Sequence, residues 1–250
     1  MIPVKGVGTE MPLHLISMLK ETAALKRDAD RLDVVMSGRK GDGSLPDCPV
    51  LVGEGSETAL AAGLAAPYHG FLELDGDGGL SGVGGRCLRA ARQGGLSVSL
   101  TTATAFSCDL VGRFAKAVRE RMPDMSPETG DNLEMCLAEA VGNAVVHGNL
   151  EIGSGLRSNR EDFEVYCDLL KRGLATPALA SRRVEVSWIP LNQVQQVIVV
   201  TDQGRGFDLE HQFSTDVGLE DKSGRGLPLI KMLSRSLASE DGGRTLVIIF

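Results

Sequence analysis

The chain has 250 residues, 42% of them hydrophobic and 24% charged, enough apolar material for one full core and room for a second small unit. Its formal net charge of -7 repels a phosphate backbone taken as a whole, so no nucleic-acid-binding surface is expected, although an acidic protein can still hold a nucleotide locally. No apolar run is long enough to span a bilayer, the opening MIPVKGVGTEMPLHL lacks a basic-then-apolar leader pattern, and the five cysteines are scattered without a C-x-x-C pair, so reduced thiols in a cytoplasmic protein without membrane contact are expected.

Residues 1–95 are glycine-rich, and their main periodic signal is a helix over about 11–31 (MPLHLISMLKETAALKRDADR). Strand-like runs follow at 32–36 (LDVVM) and 49–53 (PVLVG), then a helix at 57–66 (ETALAAGLAA), a strand at 69–74 (HGFLEL) and a helix at 87–93 (CLRAARQ). Strands and helices in alternation predict a small α/β unit. The order resembles the second half of a response-regulator receiver domain. Where such a domain carries its phosphoacceptor Asp this sequence has Ser37 and Gly38, and where it carries a Lys this sequence has Leu74. On that likeness the region is a degenerate, receiver-like docking piece. The glycine run at 75–85 (DGDGGLSGVGG) reads as a loop.

From about residue 96 the signals sharpen. LSVSLTT at 96–102 alternates like a strand, and DLVGRFAKAVRERM at 109–122 has helical apolar spacing that stops before Pro123. Ser126 and Pro127 supply an N-cap and a first helical residue for a helix over 131–148, which Gly148 and Asn149 end. Ser158 and Glu161 make a capping box for a helix at about 160–172, whose stripe Phe163, Tyr166, Leu169 and Leu170 is read as facing its own domain rather than a partner. VEVSWIP at 184–190 and VQQVIVVTD at 194–202 predict two strands joined at Leu191-Asn192-Gln193. GRGLPLIKMLSRSL predicts a glycine turn entering a helix, and TLVIIF a last strand.

Three places in this second half carry chemistry. Glu139, Asn143 and His147 recur at four-residue steps, so a helix sets all three on one face, which looks either at solvent or at a site. Asn and Gly142 are poor choices for a helix interior, which local propensity does not explain. Asp202 ends a strand and is followed by Gly204 and Gly206; a carboxylate so placed accepts a hydrogen bond from an exocyclic amine while backbone approaches the ring. Gly224 and Gly226 precede a helix, where N–H groups and the positive helix end suit phosphates and Arg225 adds charge. Each of the two glycine corners taken alone is also an ordinary turn.

Order and spacing bind these places together: Asp202 follows Asn143 by 59 residues, and Gly224 follows Asp202 by 22. On these boxes, residues 96–250 resemble the histidine-kinase-like ATPase superfamily, which also holds gyrase, mismatch-repair and heat-shock chaperone ATPases. EAVGNAVVHGN and the short segment between the glycine boxes most resemble the bacterial anti-sigma serine kinases. The resemblance implies an α+β fold, a two-layer α/β sandwich of the Bergerat type, with ATP and Mg²⁺ as cofactors. It implies Asn143 as Mg²⁺ ligand and Asp202 as partner of the adenine amine, with Gly204 and Gly206 beside the base. It also implies a lid over 208–223, with Gly224, Arg225, Gly226 and the adjoining Leu227 at the phosphates. Glu139 matches the base that takes a proton from a partner's serine, and His147 either approaches the phosphates or caps the helix end. The implied partners are a sigma factor and its antagonist, and a homodimer is one assembly the likeness allows. Three departures stand out: the helix at 160–172 is longer than compact members need, which points to the region between the first two boxes as shaping partner choice; Ser234-Arg235 occupies a place where many members carry Asp; and residues 1–95 have no counterpart in the family. The alternatives are a histidine-kinase catalytic domain, which would want a phosphoacceptor His in a helical pair where only His14 and His69 precede the domain, or a nucleotide-gated interaction module without turnover.

Overall fold

The computed structural model describes residues 26–27, 33–36, 48–76, 80, 82–83, 85–153, 160–192, 195–214 and 226–250. In chain order these form β1 (Lys26–Arg27), β2 (Asp33–Met36), β3 (Cys48–Gly53), α1 (Glu57–Leu64), β4 (Gly70–Glu73), α2 (Gly85–Arg92), β5 (Leu96–Thr101), α3 (Thr102–Ser107), α4 (Leu110–Arg121) and α5 (Pro127–Asn143). A π-helical turn (Ala144–Asn149) prolongs α5. Then come α6 (Arg160–Ala175), α7 (Pro177–Ala180), β6 (Arg183–Pro190), β7 (Gln196–Thr201), α8 (Leu209–Ser214), α9 (Gly226–Leu233), β8 (Ser236–Glu240) and β9 (Thr245–Ile249).

The strands make one sheet in the order β1-β2-β3-β4-β5-β6-β7-β9-β8. Alternation along each strand sorts side chains between two faces. Leu96, Val98 and Leu100 of β5, Val184, Val186 and Trp188 of β6, and Ile198 and Val200 of β7 point to one face. There they meet Leu60 of α1, Phe114 and Val118 of α4, and Leu133, Cys136, Leu137 and Ala140 of α5. This helical layer on a largely antiparallel sheet is the α+β two-layer sandwich expected from the resemblance. On the opposite face α2 buries Cys87, Ala90 and Ala91 against Val52, Leu72 and Ile189. Among the described residues no helix is long and apolar enough to cross a membrane.

The start predicted at Ser126–Pro127 is present, whereas the stop predicted at Gly148–Asn149 lies inside a π-helical turn that runs to Asn149. The Ser126 hydroxyl accepts from Thr129 N–H at 3.1 Å and Pro127 opens α5, while Asp109 accepts from Gly112 N–H at 3.0 Å at the start of α4. Other expectations are revised. Lys26–Arg27, placed in the 11–31 helix, pair as a strand with Val34 and Val35; the rest of that helix lies outside the described residues, as do Ser37, Gly38 and the Ser158 cap. The α/β alternation holds, and β3, β4 and β5 run parallel, but β2 is antiparallel to β3, unlike the all-parallel receiver sheet. The helix read through GRGLPLIKMLSRSL stops at Leu233, because Ser236–Glu240 find ladder partners on β9 that outweigh local helix preference. The sheet passes through residues 95 and 96 without a break, since β5 pairs with β4 on one side and β6 on the other.

Phe114 is fully buried between α1, α5 and the sheet. Phe114→Ala is expected to lower unfolding free energy by about 3–5 kcal/mol, read as a lower urea midpoint at unchanged slope.

Candidate functional site

Helix α5 buries Leu133, Cys136, Leu137, Ala140 and Val141, which leaves Glu139 and Asn143 on the rim of its other side. Both are partly buried, and among the described residues neither side chain has a hydrogen-bond or ion-pair partner. After Asn143 the helix widens: Leu150 N–H donates to Val145 O at 3.0 Å, a step of five rather than four. The predicted α-helix over 131–148 is therefore an α-helix that ends in a π turn. The turn changes which side chains face inward. His147 Nδ1–H donates to the Ile152 carbonyl at 2.6 Å, a contact made where the chain leaves the helix.

The π turn also drives Asn149 into the core, where it is fully buried. Its amide nitrogen donates to Thr102 Oγ1 at 2.8 Å and to Arg183 O at 2.9 Å, while its oxygen accepts from Gln203 N–H at 2.7 Å. One side chain thus ties the end of α5 to α3, the start of β6 and the loop after β7, with its donors and acceptor used. From the sequence, Asn149 reads only as a helix terminator. The signal that was available was an Asn next to Gly148 at the helix end, which does not distinguish a terminator from a buried staple.

Gln203 sits in the loop Asp202–Phe207 that carries the first glycine pair. Asp202 N–H donates to Arg244 O at 2.9 Å, and Asp202 Oδ1 accepts from Gly204 N–H at 2.7 Å, whereas Oδ2 accepts no hydrogen bond among the described residues. The loop lies directly on the π turn. A Cβ at Gly204 would stand 2.2 Å from the Gly148 carbonyl oxygen, and one at Gly148 would stand 2.5 Å from the Asp202 carboxyl carbon. At Gly204 the clash would be with backbone, so glycine there permits an approach no other residue allows, whereas at Gly148 an added Cβ would have to displace the Asp202 carboxyl. Gly206 has φ 75° and faces the Gly242 carbonyl.

The second glycine corner reaches the same helix one to two turns earlier. Gly226 opens α9, and a Cβ there would stand 2.5 Å from Glu139 Oε2 and 3.4 Å from Asn143 Nδ2. Leu227 follows at the edge of the core. Gly224, Arg225 and most of the lid segment lie outside the described residues. One helix edge, from Glu139 to Gly148, therefore meets Gly226 at one end and Asp202 with Gly204 at the other. Among the described residues no group of three or more His, Cys, Asp and Glu is arranged to hold a metal. The unpartnered Asn143 amide still suits Mg²⁺, which takes few protein oxygens and fills its shell with phosphates and water.

Burial is the largest influence on the Asp202 carboxyl and pushes its pKa up to about 6, against the Gly204 N–H and the charges of Arg244 and Arg182. A carboxyl raised on folding holds its proton better in the native state, so the stability it contributes is present at low pH and is lost as pH rises through about 6. Relative to Asp202→Asn, the wild-type protein is expected to lose about 1 kcal/mol between about pH 5 and pH 8, measured by urea unfolding at each pH. A slope equal in the two proteins would show that the carboxyl is not desolvated.

No curated protein matches the chain. A family model described as a histidine kinase-like ATPase domain matches residues 101–250, which contain every residue placed at the site, and the chain belongs to that family.

Proposed function

We propose that the chain binds Mg-ATP between α5 and its two glycine corners and transfers the γ-phosphoryl group to a serine or threonine hydroxyl of a protein partner. The observation that carries the reading is the convergence of unpartnered Glu139 and Asn143 on Gly226, and of Gly148 on Asp202 and Gly204. A nucleotide needs a hydrogen-bond acceptor for its amine, close backbone beside its ring, and metal and phosphate groups at the far end. These groups lie in that order along one helix.

In this reading Asp202 Oδ2 accepts from the adenine amine, and the approach of Gly148 to Gly204 leaves backbone rather than side chains beside the base. Asn143 would hold Mg²⁺, which when bound would neutralise phosphate charge. Glu139 accepts the proton of the attacking hydroxyl. The hydroxyl oxygen bonds to the γ-phosphorus, and the bond from that phosphorus to the bridging oxygen breaks with its electron pair going to ADP. Phosphoryl transfer asks a protein chiefly for positioning and charge compensation, so this small set suffices.

The likeness of EAVGNAVVHGN to anti-sigma serine kinases supports a sigma factor and its antagonist as the partner pair, with phosphorylation switching the partner. Against a histidine-kinase reading, His69 precedes β4 and its Nδ1–H donates to Gly95 O at 2.9 Å, away from any helical pair; His14 lies outside the described residues.

Asn143→Ala is expected to weaken Mg-ATP binding at least about tenfold in calorimetry, the loss of a metal ligand costing more than about 1.4 kcal/mol. Glu139→Ala is expected to keep ATP affinity and to lower transfer of radiolabel to a partner serine at least about a hundredfold. Normal transfer by Glu139→Ala would remove its role as base. Acid-labile label would point to phosphohistidine, and ATP binding with no label in any partner would point to a gated module.

A further inference from the structure

The segment before the family-matched region touches the adenine side of the site from behind. Arg86 of α2, on the far face of the sheet, places Nη1 2.5 Å from Glu240 Oε2 and Nη2 2.9 Å from Asp241 Oδ2. The Arg86 and Glu240 side chains are 16% and 15% exposed, so that arm of the fork is largely withdrawn from water, where charge-assisted contacts are strongest, while the Asp241 arm lies at the surface with the Asp241 side chain 45% exposed. Gly82, in the same segment, accepts from Gln203 Nε2 at 3.3 Å.

What Arg86 holds is an unusual turn. Asp241, Gly242 and Gly243, between β8 and β9, have φ of 54°, 68° and 88°. A left-handed Asp costs on the order of 1 kcal/mol, so its side chain must be fixed for the turn to persist. Asp241 Oδ2 is fixed twice, by Arg86 and by Thr245 Oγ1 at 2.9 Å. The turn in turn shapes the loop after β7. Gly242 O faces Gly206, where a Cβ would stand 2.1 Å from it, and Gly243 lies against the Phe207 backbone. The residue after the turn, Arg244, gives its carbonyl to Asp202 N–H at 2.9 Å.

We propose that Arg86 is a positioning residue for the adenine end of the site, acting through the Asp241–Gly243 turn on Asp202 and Gly206; the proposal rests on the nucleotide reading above. Removing Arg86 leaves two adjacent carboxylates beside a strained turn and releases the loop that aims Asp202. The phosphate end is built on Gly226 and α5, at the other end of the helix edge from this contact.

The test uses the full chain and measures dissociation constants for Mg-ATP, Mg-GTP and inorganic tripolyphosphate with Mg²⁺. The proteins are wild type, Arg86→Ala, Arg86→Lys and Arg113→Ala, the last breaking the surface pair of Arg113 with Glu57 at 2.6 Å on another part of the fold. Arg86→Ala is expected to weaken ATP about tenfold and reduce preference for ATP over GTP by a similar factor, with tripolyphosphate unchanged. Arg86→Lys, which keeps the charge without the fork, is expected to fall between, and Arg113→Ala to match wild type. General destabilisation would weaken all three ligands together and leave the preference alone, and that outcome overturns the proposal. So does an Arg86→Lys protein weakened as much as Arg86→Ala, or an Arg86→Ala protein that binds ATP as wild type does. If wild type binds no adenine nucleotide, the nucleotide reading itself falls and this inference with it.

Discussion

Backbone contact between Gly148 and Gly204 is the constraint on which the candidate site depends. It brings the end of a helix and the loop after a central strand together with no side chain between them, and everything else is placed relative to that contact. Asp202 lies beside Gly148 because Gly204 does, and Glu139 and Asn143 are carried along the same helix to meet Gly226. The approach is held by Asn149, whose buried amide reaches α3, β6 and Gln203 together. A buried amide with its groups satisfied is worth more as a locator than as a source of net stability, since its bonds largely replace bonds to water.

The same geometry explains why the site is electrically tense. Setting Asp202 against the π turn removes water from its carboxyl, and the opposing influence of Arg244 and Arg182 does not restore the usual carboxylate range. A carboxylate that is short of hydrogen-bond donors is suited to receive one from a ligand. Glu139 and Asn143 likewise lack partners among the described residues, whereas Glu73, equally polar and more deeply buried, accepts from Thr101 N–H, Thr101 Oγ1 and Thr104 Oγ1. The contrast separates groups whose bonding is complete from groups left open at the rim.

The region before residue 96 is part of the same sheet. Parallel pairing of β4 with β5 extends the sheet beyond the family-matched span, and α2 covers its far face. Arg183, buried at the start of β6, donates to Glu73 O at 2.7 Å and pairs with Asp75, so charged groups also join the two stretches. The Asp241–Gly243 turn, gripped by Arg86 of α2, is one place where this added layer meets the loop after β7.

Much of this was legible in residues alone, for a reason that differs from element to element. Alternation in 96–102, 184–190 and 194–202, helical spacing in 109–122, and the Ser126-Pro127 start are local codes, written in side-chain period and capping chemistry. Glu139, Asn143, Asp202 and the glycine corners stood out in the sequence because polar residues and glycines at set spacing are not what helix and strand propensity alone would place there. The π turn was not legible, because helix propensity carries no mark of a five-residue step, and the contacts Asn149 makes from it, to β6 and Gln203, join distant segments. Nor was β8, which is a strand only because β9 offers a ladder edge, nor the Arg86 fork, whose partners lie 154 and 155 residues away. The sequence by itself determined the alternation of elements and the chemistry held at each box. Only the tertiary structure decided that the boxes share one helix edge and that a helix from outside the family-matched span grips the turn behind the Asp202 loop, since contacts between distant segments follow from packing and leave no periodic mark on the chain.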